Sequence, residues 1–159
     1  MHPRHCQAAF SLIELVIVIV IIGVVAAVAI PRITRGAGNA GGAALKADLA
    51  ILRRAIETYR AEHEGKRPTK ANFVKQMTEF TNIDGTVWSD QVDVSNRIIY
   101  GPYLVSVPPL RVGGNANHNG VGDNGDADTG WVYDEQSGEI NSNTTDTEVD
   151  NENKRFNRY

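Results

Sequence analysis

The sequence has one cysteine, no excess of positive charge and no recognisable catalytic motif. Cys6 has no second cysteine to pair with, so an intrachain disulfide is excluded. Asp and Glu number 19 against 16 Lys and Arg, and no basic patch is interleaved with aromatic residues, so nucleic acid is not expected as a partner. No nucleophile elbow, phosphate-binding loop or paired metal motif accompanies the histidines, and we therefore expect no enzyme. The four histidines are His2, His5, His63 and His118.

A long apolar run, broken only by Ser11 and Glu14, occupies residues 10–30. As a helix rising about 1.5 Å per residue it is roughly 30 Å long, close to the thickness of the hydrocarbon core of a bilayer. The rest of the chain is too short and too polar to enclose such a helix, so lipid or identical copies must cover it. Pro31 follows the run and is expected to kink or loosen the helix between residues 23 and 31.

Glu14 is unusual in this run because a carboxylate near mid-membrane costs about 2.5 to 3.5 kcal/mol. Two explanations are open at this point. Either the side chain reaches the lipid headgroups or takes up a proton, or a cation lies in the same apolar layer. A free amine at Phe10, one helical turn earlier, would be such a cation, and it exists only if the chain is cut before Phe10.

The N-terminal pattern resembles the class III signal of type IV pilins and of type II secretion pseudopilins. The leader MHPRHCQAA is followed by Phe10, Ser11, two aliphatic residues, Glu14, a long aliphatic run and Pro31. The resemblance implies that a prepilin peptidase cuts between Ala9 and Phe10 on the cytoplasmic side and methylates the new amine. It also implies that Glu14 pairs with the amine of a neighbouring subunit during assembly. The family usually has glycine where this chain has Ala9.

Beyond the run, apolar residues at spacings of four and three predict an amphipathic helix that packs on its own head domain. The stripe consists of Leu45, Leu49, Leu52, Ile56 and Tyr59. Four glycines within 36–42 disfavour helix by roughly 4 kcal/mol relative to alanine, which makes this patch a weak point or a place of close helix approach. A flexible linker is the alternative. Gly65 and Pro68 end the helix.

Thr69 is predicted to cap a short second helix. Its apolar face consists of Phe73, Val74, Met77 and Phe80. Short β-type segments at 97–100, 103–107, 131–133 and 139–141 then predict a small antiparallel sheet, with the last two joined as a hairpin. We therefore predict an α+β, pilin-like fold, in which a long N-terminal hydrophobic helix continues into a helix packed on this sheet. The order GPYL, a Pro-Pro loop and GWVYDEQSGEI also resembles the C-terminal half of major pseudopilins.

Oxygen-bearing side chains alternate with glycine between the predicted strands, in a region, 112–153, that holds ten acidic residues and no Lys or Arg. This spacing matches much of an EF-hand-like loop, although Asn replaces the leading Asp and Asp replaces the final Glu. The resemblance to major pseudopilins, which bind calcium in their C-terminal loop, agrees with it. A solvated, mobile connector is the alternative. The candidate calcium ligands are Asn115, Asn117, Asn119, Asp123, Asp126 and Asp128.

The chain is accordingly divided into five parts. They are a leader (1–9), a transmembrane and assembly helix (10–31), its amphipathic continuation (32–65), a globular head with the loop and small sheet (66–142), and a polar tail expected to be disordered (143–159).

Taken together, these features predict a structural subunit of a type II secretion pseudopilus that supports protein export. The resemblance implies a homopolymeric filament, with prepilin peptidase, an inner-membrane assembly platform and minor pseudopilins as partners. It places the precursor in the inner membrane as a single-pass protein, with the leader in the cytoplasm, and the mature form in an extracytoplasmic filament. A type IV pilin is less favoured because residues 10–159 lack a cysteine pair. The other alternative is a membrane-tethered binding module that forms no filament.

Overall fold

The computed structural model describes the backbone of residues 11–159 and the side chains of residues 11–27 and 40–159. It has an α+β architecture, as predicted. The elements in chain order are α1 (Leu12–Glu62), a 3₁₀ helix (Lys70–Asn72), α2 (Phe73–Thr78), β1 (Phe80–Thr81), β2 (Trp88–Ser89), β3 (Gly120–Gly122), β4 (Thr129–Tyr133), β5 (Ile140–Ser142) and a second 3₁₀ helix (Phe156–Arg158). Two compact units are present, 1–37 and 38–159.

Helix α1 includes Pro31 and the whole glycine-rich patch. The helix therefore continues through the segment predicted to kink or loosen before Pro31, and the flexible linker considered for 36–42 is not observed. Two glycines of the patch are covered within the second unit. A Cβ on Gly41 would lie 3.0 Å from Val112 Cγ1, and one on Gly42 would lie 3.7 Å from the Tyr159 hydroxyl. Packing at these positions offsets part of the low helix propensity of glycine.

The predicted apolar stripe of α1 is the centre of the head core, and this prediction is confirmed. All five of its residues, Leu45, Leu49, Leu52, Ile56 and Tyr59, are 1% exposed or less. They share one cluster with Trp131, Tyr133 and Ile140 of the β4–β5 hairpin and with apolar residues of the preceding loop. Spacings of three and four place these side chains on a single helix face, and burial of that face holds the helix on the sheet.

Strands β4 and β5 pair antiparallel, with Trp131 opposite Ser142 and Tyr133 opposite Ile140, so the predicted hairpin is confirmed. The third strand of this sheet differs from the prediction. It is β3, within the glycine-rich loop, and it runs parallel to β4. Glycine makes this pairing possible, because a Cβ on Gly120 would lie 2.6 Å from the carbonyl oxygen of Asp128. The sheet is therefore mixed and not purely antiparallel.

The strand predictions for 97–100 and 103–107 are wrong. The first segment makes only isolated bridges, of Ile98 with Asp93 and of Tyr100 with Thr81, and the second is assigned neither strand nor bridge. The main-chain N–H groups of Tyr103 and Leu104 instead both donate to the carbonyl of Met77, each at 2.9 Å. These two N–H groups therefore bond to the end of α2 and not to a neighbouring strand.

Helix α2 buries Phe73, Gln76 and Met77, whereas Val74 is exposed and Phe80 belongs to β1. The predicted apolar face is therefore confirmed for Phe73 and Met77 and wrong for Val74 and Phe80. The side chain of Thr69 makes no capping hydrogen bond. The main-chain N–H of Thr69 instead donates to Gln76 Oε1 at 2.8 Å. Gln76 in turn donates to the carbonyl of Gly85 at 2.8 Å, so this buried amide ties the start of α2 to the turn before β2.

The tail was expected to be disordered, and the structure corrects this. Phe156 belongs to the core cluster. The ammonium groups of Lys46 and Lys154 lie 4.5 Å and 4.4 Å from the centroid of the Tyr159 ring. Arg53 of α1 donates to the main-chain oxygen of Tyr159 at 2.7 Å. The prediction of disorder rested on the polar composition of 143–159. It gave too little weight to Phe156 and Tyr159, whose aromatic side chains supply the apolar surface that orders the segment.

Gly41 and Gly42 provide a matched pair of substitutions in α1. Gly42→Ala should raise the free energy of unfolding by about 0.5 to 1 kcal/mol, because its new Cβ makes only ordinary contacts and alanine favours helix. Gly41→Ala should gain less or lose stability, because its Cβ presses on Val112. Chemical denaturation of the full-length chain in detergent measures both. Equal gains would contradict the packing described at Gly41.

His63 gives the head a pH dependence. Its side chain is buried, and its ring stacks on that of Tyr59 with centroids 3.7 Å apart. The Nδ1–H group donates to the carbonyl of Tyr59 at 2.8 Å, and Nε2 accepts from the Thr81 hydroxyl at 2.9 Å. Burial lowers the pKa of His63, against smaller opposing effects from the Tyr59 carbonyl and Glu62.

Because the folded pKa of His63 lies below the unfolded value of about 6.5, unfolding takes up a proton between the two values. The free energy of unfolding should therefore fall as the pH drops below about 6.5, and the slope should vanish below the folded pKa. Denaturation at a series of pH values tests this. In His63→Gln this part of the slope should be absent, and an unchanged slope would show that another group causes it.

Candidate assembly site at the start of α1

The first turn of α1 is closed by a hydrogen bond from the main-chain N–H of Ser11 to Glu14 Oε2, at 3.4 Å. Ser11 also accepts the first intrahelical bond, from the N–H of Leu15 at 3.2 Å. The glutamate thus stands three residues after a serine that precedes the helix, which is the spacing of a capping box. A carboxylate in the first turn is also favoured by the helix dipole.

The capping role of Glu14 was missed in the sequence, although the S-x-x-E signature before an apolar run was available. The hydrogen bond is long and engages only one carboxylate oxygen. Among the residues that the structure describes, Oε1 has no hydrogen-bond donor. The carboxylate therefore keeps an acceptor oxygen free for a further partner.

The apolar side chains that follow Glu14 are uncovered on all sides of the helix. From Leu12 to Val25 every large hydrophobic side chain is between 42% and 82% exposed. So large an apolar surface calls for lipid or protein to cover it. Within the residues whose side chains are described, no helix combines the length and the hydropathy needed to cross a membrane.

The predicted processing residues, Ala9 and Phe10, lie outside the described residues. Of the predicted assembly residues, only Glu14 is placed, and it lies in the first turn of α1.

The predicted calcium ligands are spread along the 115–128 segment and make other contacts. Asp123 Oδ1 lies 2.5 Å from the Lys70 ammonium, and Asp126 Oδ2 accepts from the N–H of Asp123 at 2.9 Å. Asn115 Nδ2 donates to the carbonyl of Asn143 at 2.9 Å. The Asp128 carboxylate is 92% exposed and 3.6 Å from His118 Nε2.

Calcium needs six to eight oxygen ligands that converge at about 2.3 to 2.6 Å. Within the described part of the chain, no group of three or more His, Cys, Asp or Glu side chains is placed to hold a metal ion. Asn117 has a positive φ of 72° and Asn119 is exposed, and neither makes a side-chain bond to the carboxylates. In this arrangement the six candidate residues do not fit a calcium site.

Two residues that organise the loop, Lys70 and Asn143, were not linked to it in the sequence analysis. Lys70 lies far from the loop along the chain, so no local pattern links it to Asp123. Asn143 was assigned to the tail, yet it is 2% exposed and hydrogen-bonded at the edge of the sheet. Only the tertiary fold brings these residues to the loop.

Comparison with family models identifies one match. Residues 4–30 match the prokaryotic N-terminal methylation motif, a stretch that contains Ala9, Phe10 and Glu14. The chain therefore carries the N-terminal motif of prokaryotic pilin-like proteins, whose members are structural subunits. Searches of curated proteins and of solved structures each gave no match.

Proposed function

We propose that this chain is a structural subunit of a type II secretion pseudopilus, assembled through the first turns of α1. The observation that carries the proposal is the combination of the methylation motif at residues 4–30 with an apolar helix that is uncovered on every side. A helix of this kind is stable in lipid before assembly and among identical helices after it. The absence of cysteine from residues 10–159 favours a pseudopilus over a type IV pilus.

Processing would create a cationic partner for Glu14. Cleavage between Ala9 and Phe10 by a prepilin peptidase exposes an amine one helical turn before Glu14, in the same apolar layer. A carboxylate and an ammonium attract each other strongly where the dielectric constant is low, and an unpaired carboxylate there is costly. Within the described part of the chain the capping bond uses Oε2 alone, which would leave Oε1 for the Phe10 amine of a neighbouring subunit.

This pairing gives assembly a direction. If the amine of each incoming subunit pairs with the carboxylate of a subunit already in place, the contact is heterologous, and repeated heterologous contacts build open helical filaments. Before assembly, the precursor would be inserted in the inner membrane as a single-pass protein, with its leader in the cytoplasm. Extraction into the filament would need an inner-membrane assembly platform, and minor pseudopilins would join the same filament.

Substitutions at Glu14 separate the charge pair from the helix cap. Glu14→Gln keeps a side-chain acceptor at the capping position but removes the charge, and Glu14→Ala removes both. Loss of one partner of a buried ion pair costs about 3 to 5 kcal/mol, so both variants should lower the filament yield more than about 100-fold. Their amounts in the membrane should stay near that of the wild type. Shearing of filaments from cells, followed by immunoblotting, measures the yield.

Ser11→Ala is the control for a general disturbance of the helix start, and it should assemble nearly normally because the bond to Glu14 comes from the main chain. Wild-type filament yield from Glu14→Gln would show that Glu14 acts as a helix cap and not as a charge. Such a result would remove the pairing mechanism.

A further inference from the structure

Lys70, at the start of the first 3₁₀ helix, joins two acidic segments of the head. Its ammonium lies 2.5 Å from Asp123 Oδ1, in the connection between β3 and β4. Its main-chain N–H donates to Glu135 Oε2 at 2.8 Å, in the β4–β5 turn. The hydrogen bond to Asp123 raises the pKa of Lys70, and the charges of Asp123, Glu135 and Asp134 add to this effect against partial desolvation. A positive charge is thus already fixed among these carboxylates.

Asn143, at the end of β5, fixes the main chain of the same loop. Its Nδ2 donates to the carbonyls of Thr129 at 2.8 Å and Asp126 at 3.3 Å, and its Oδ1 accepts from the N–H of Gly125 at 3.1 Å. Its own carbonyl accepts from Asn115 Nδ2. A buried amide with both ends bonded holds this turn at several points along the chain.

We infer that the Lys70 ammonium and the Asn143 amide hold the 115–128 loop in its fold without a divalent cation. A calcium ion at Asp123 would have to displace the ammonium or lie beside it, and two cations so close repel each other. Asp126 Oδ2 accepts a hydrogen bond from the N–H of Asp123, and the Asp126 carbonyl accepts one from Asn143 Nδ2. Two further oxygens of the loop are therefore engaged in hydrogen bonds within the protein. The inference is independent of the proposed role in a filament.

The first test compares the melting temperature of the full-length chain in detergent with 1 mM CaCl₂ and with EDTA. A site filled at 100 times its dissociation constant would raise the melting temperature by roughly 10 °C in a domain of this size. The inference predicts a difference below about 1 °C. A calcium-dependent rise of several degrees that EDTA reverses would overturn it.

The second test removes the internal cation. Lys75→Gln is a matched control, because Lys75 also pairs with a carboxylate, Glu79 at 2.6 Å, but lies away from the loop on α2. Lys70→Gln should lower the melting temperature by roughly 2 to 5 °C more than Lys75→Gln, since it removes the cation that pairs with Asp123 and interacts with the charge of Glu135. Lys70→Arg keeps the charge and should restore most of the loss.

The outcomes of the second test are distinguishable. A folded Lys70→Arg beside an unfolded or weakened Lys70→Gln supports the internal cation. Equal melting temperatures for Lys70→Gln and Lys75→Gln would contradict it, as would an arginine variant that is as unstable as the glutamine variant.

Discussion

The apolar surface at the start of α1 is the constraint on which the rest of this protein depends. A single chain cannot cover a helix that is apolar on every side, and the large side chains from Leu12 to Val25 are in fact exposed. The same surface suits lipid and identical helices, so it supports both storage in a membrane and assembly into a filament. In the proposed filament Glu14 would add specificity to this surface, because a carboxylate in an apolar layer favours an arrangement that supplies a cation.

The second half of α1 has the opposite organisation. Only one face is apolar, and that face is buried against the β4–β5 hairpin and the loops around it. Beside that face, Arg53 donates to the Ile140 carbonyl and to the main-chain oxygen of Tyr159 and so fixes the tail. One helix therefore contains an all-round apolar segment and an amphipathic segment. The first is suited to contacts with other molecules and the second holds the head together.

Features with a regular local pattern were predictable from the sequence. The spacing of Leu45, Leu49 and Leu52 predicted their burial, and the alternation around Trp131 predicted the hairpin. The methylation motif was visible as a contiguous stretch, which the family comparison matches independently. Each of these signals depends on residues that are neighbours in the chain.

The errors concern contacts between distant segments. The parallel strand β3 depends on Gly120, which lies against the Asp128 carbonyl, and on Gly130 of β4, which lies against the His118 carbonyl. The order of the tail depends on Phe156 and Tyr159 reaching α1. The ion pair of Asp123 was likewise not predicted, because its partner, Lys70, lies 53 residues earlier in the chain. Composition and spacing do not contain these long-range pairings, and only the fold assigns them.

The intact mass and N-terminal residue of the protein isolated from its native membrane test the central claim most directly. The account predicts a chain that begins at Phe10 and carries a methyl group on its amine, since only cleavage at this point supplies the cation for Glu14. A chain that still begins at Met1 in assembled material would contradict the pairing mechanism. It would leave a membrane-tethered module in which Glu14 serves only to cap its helix.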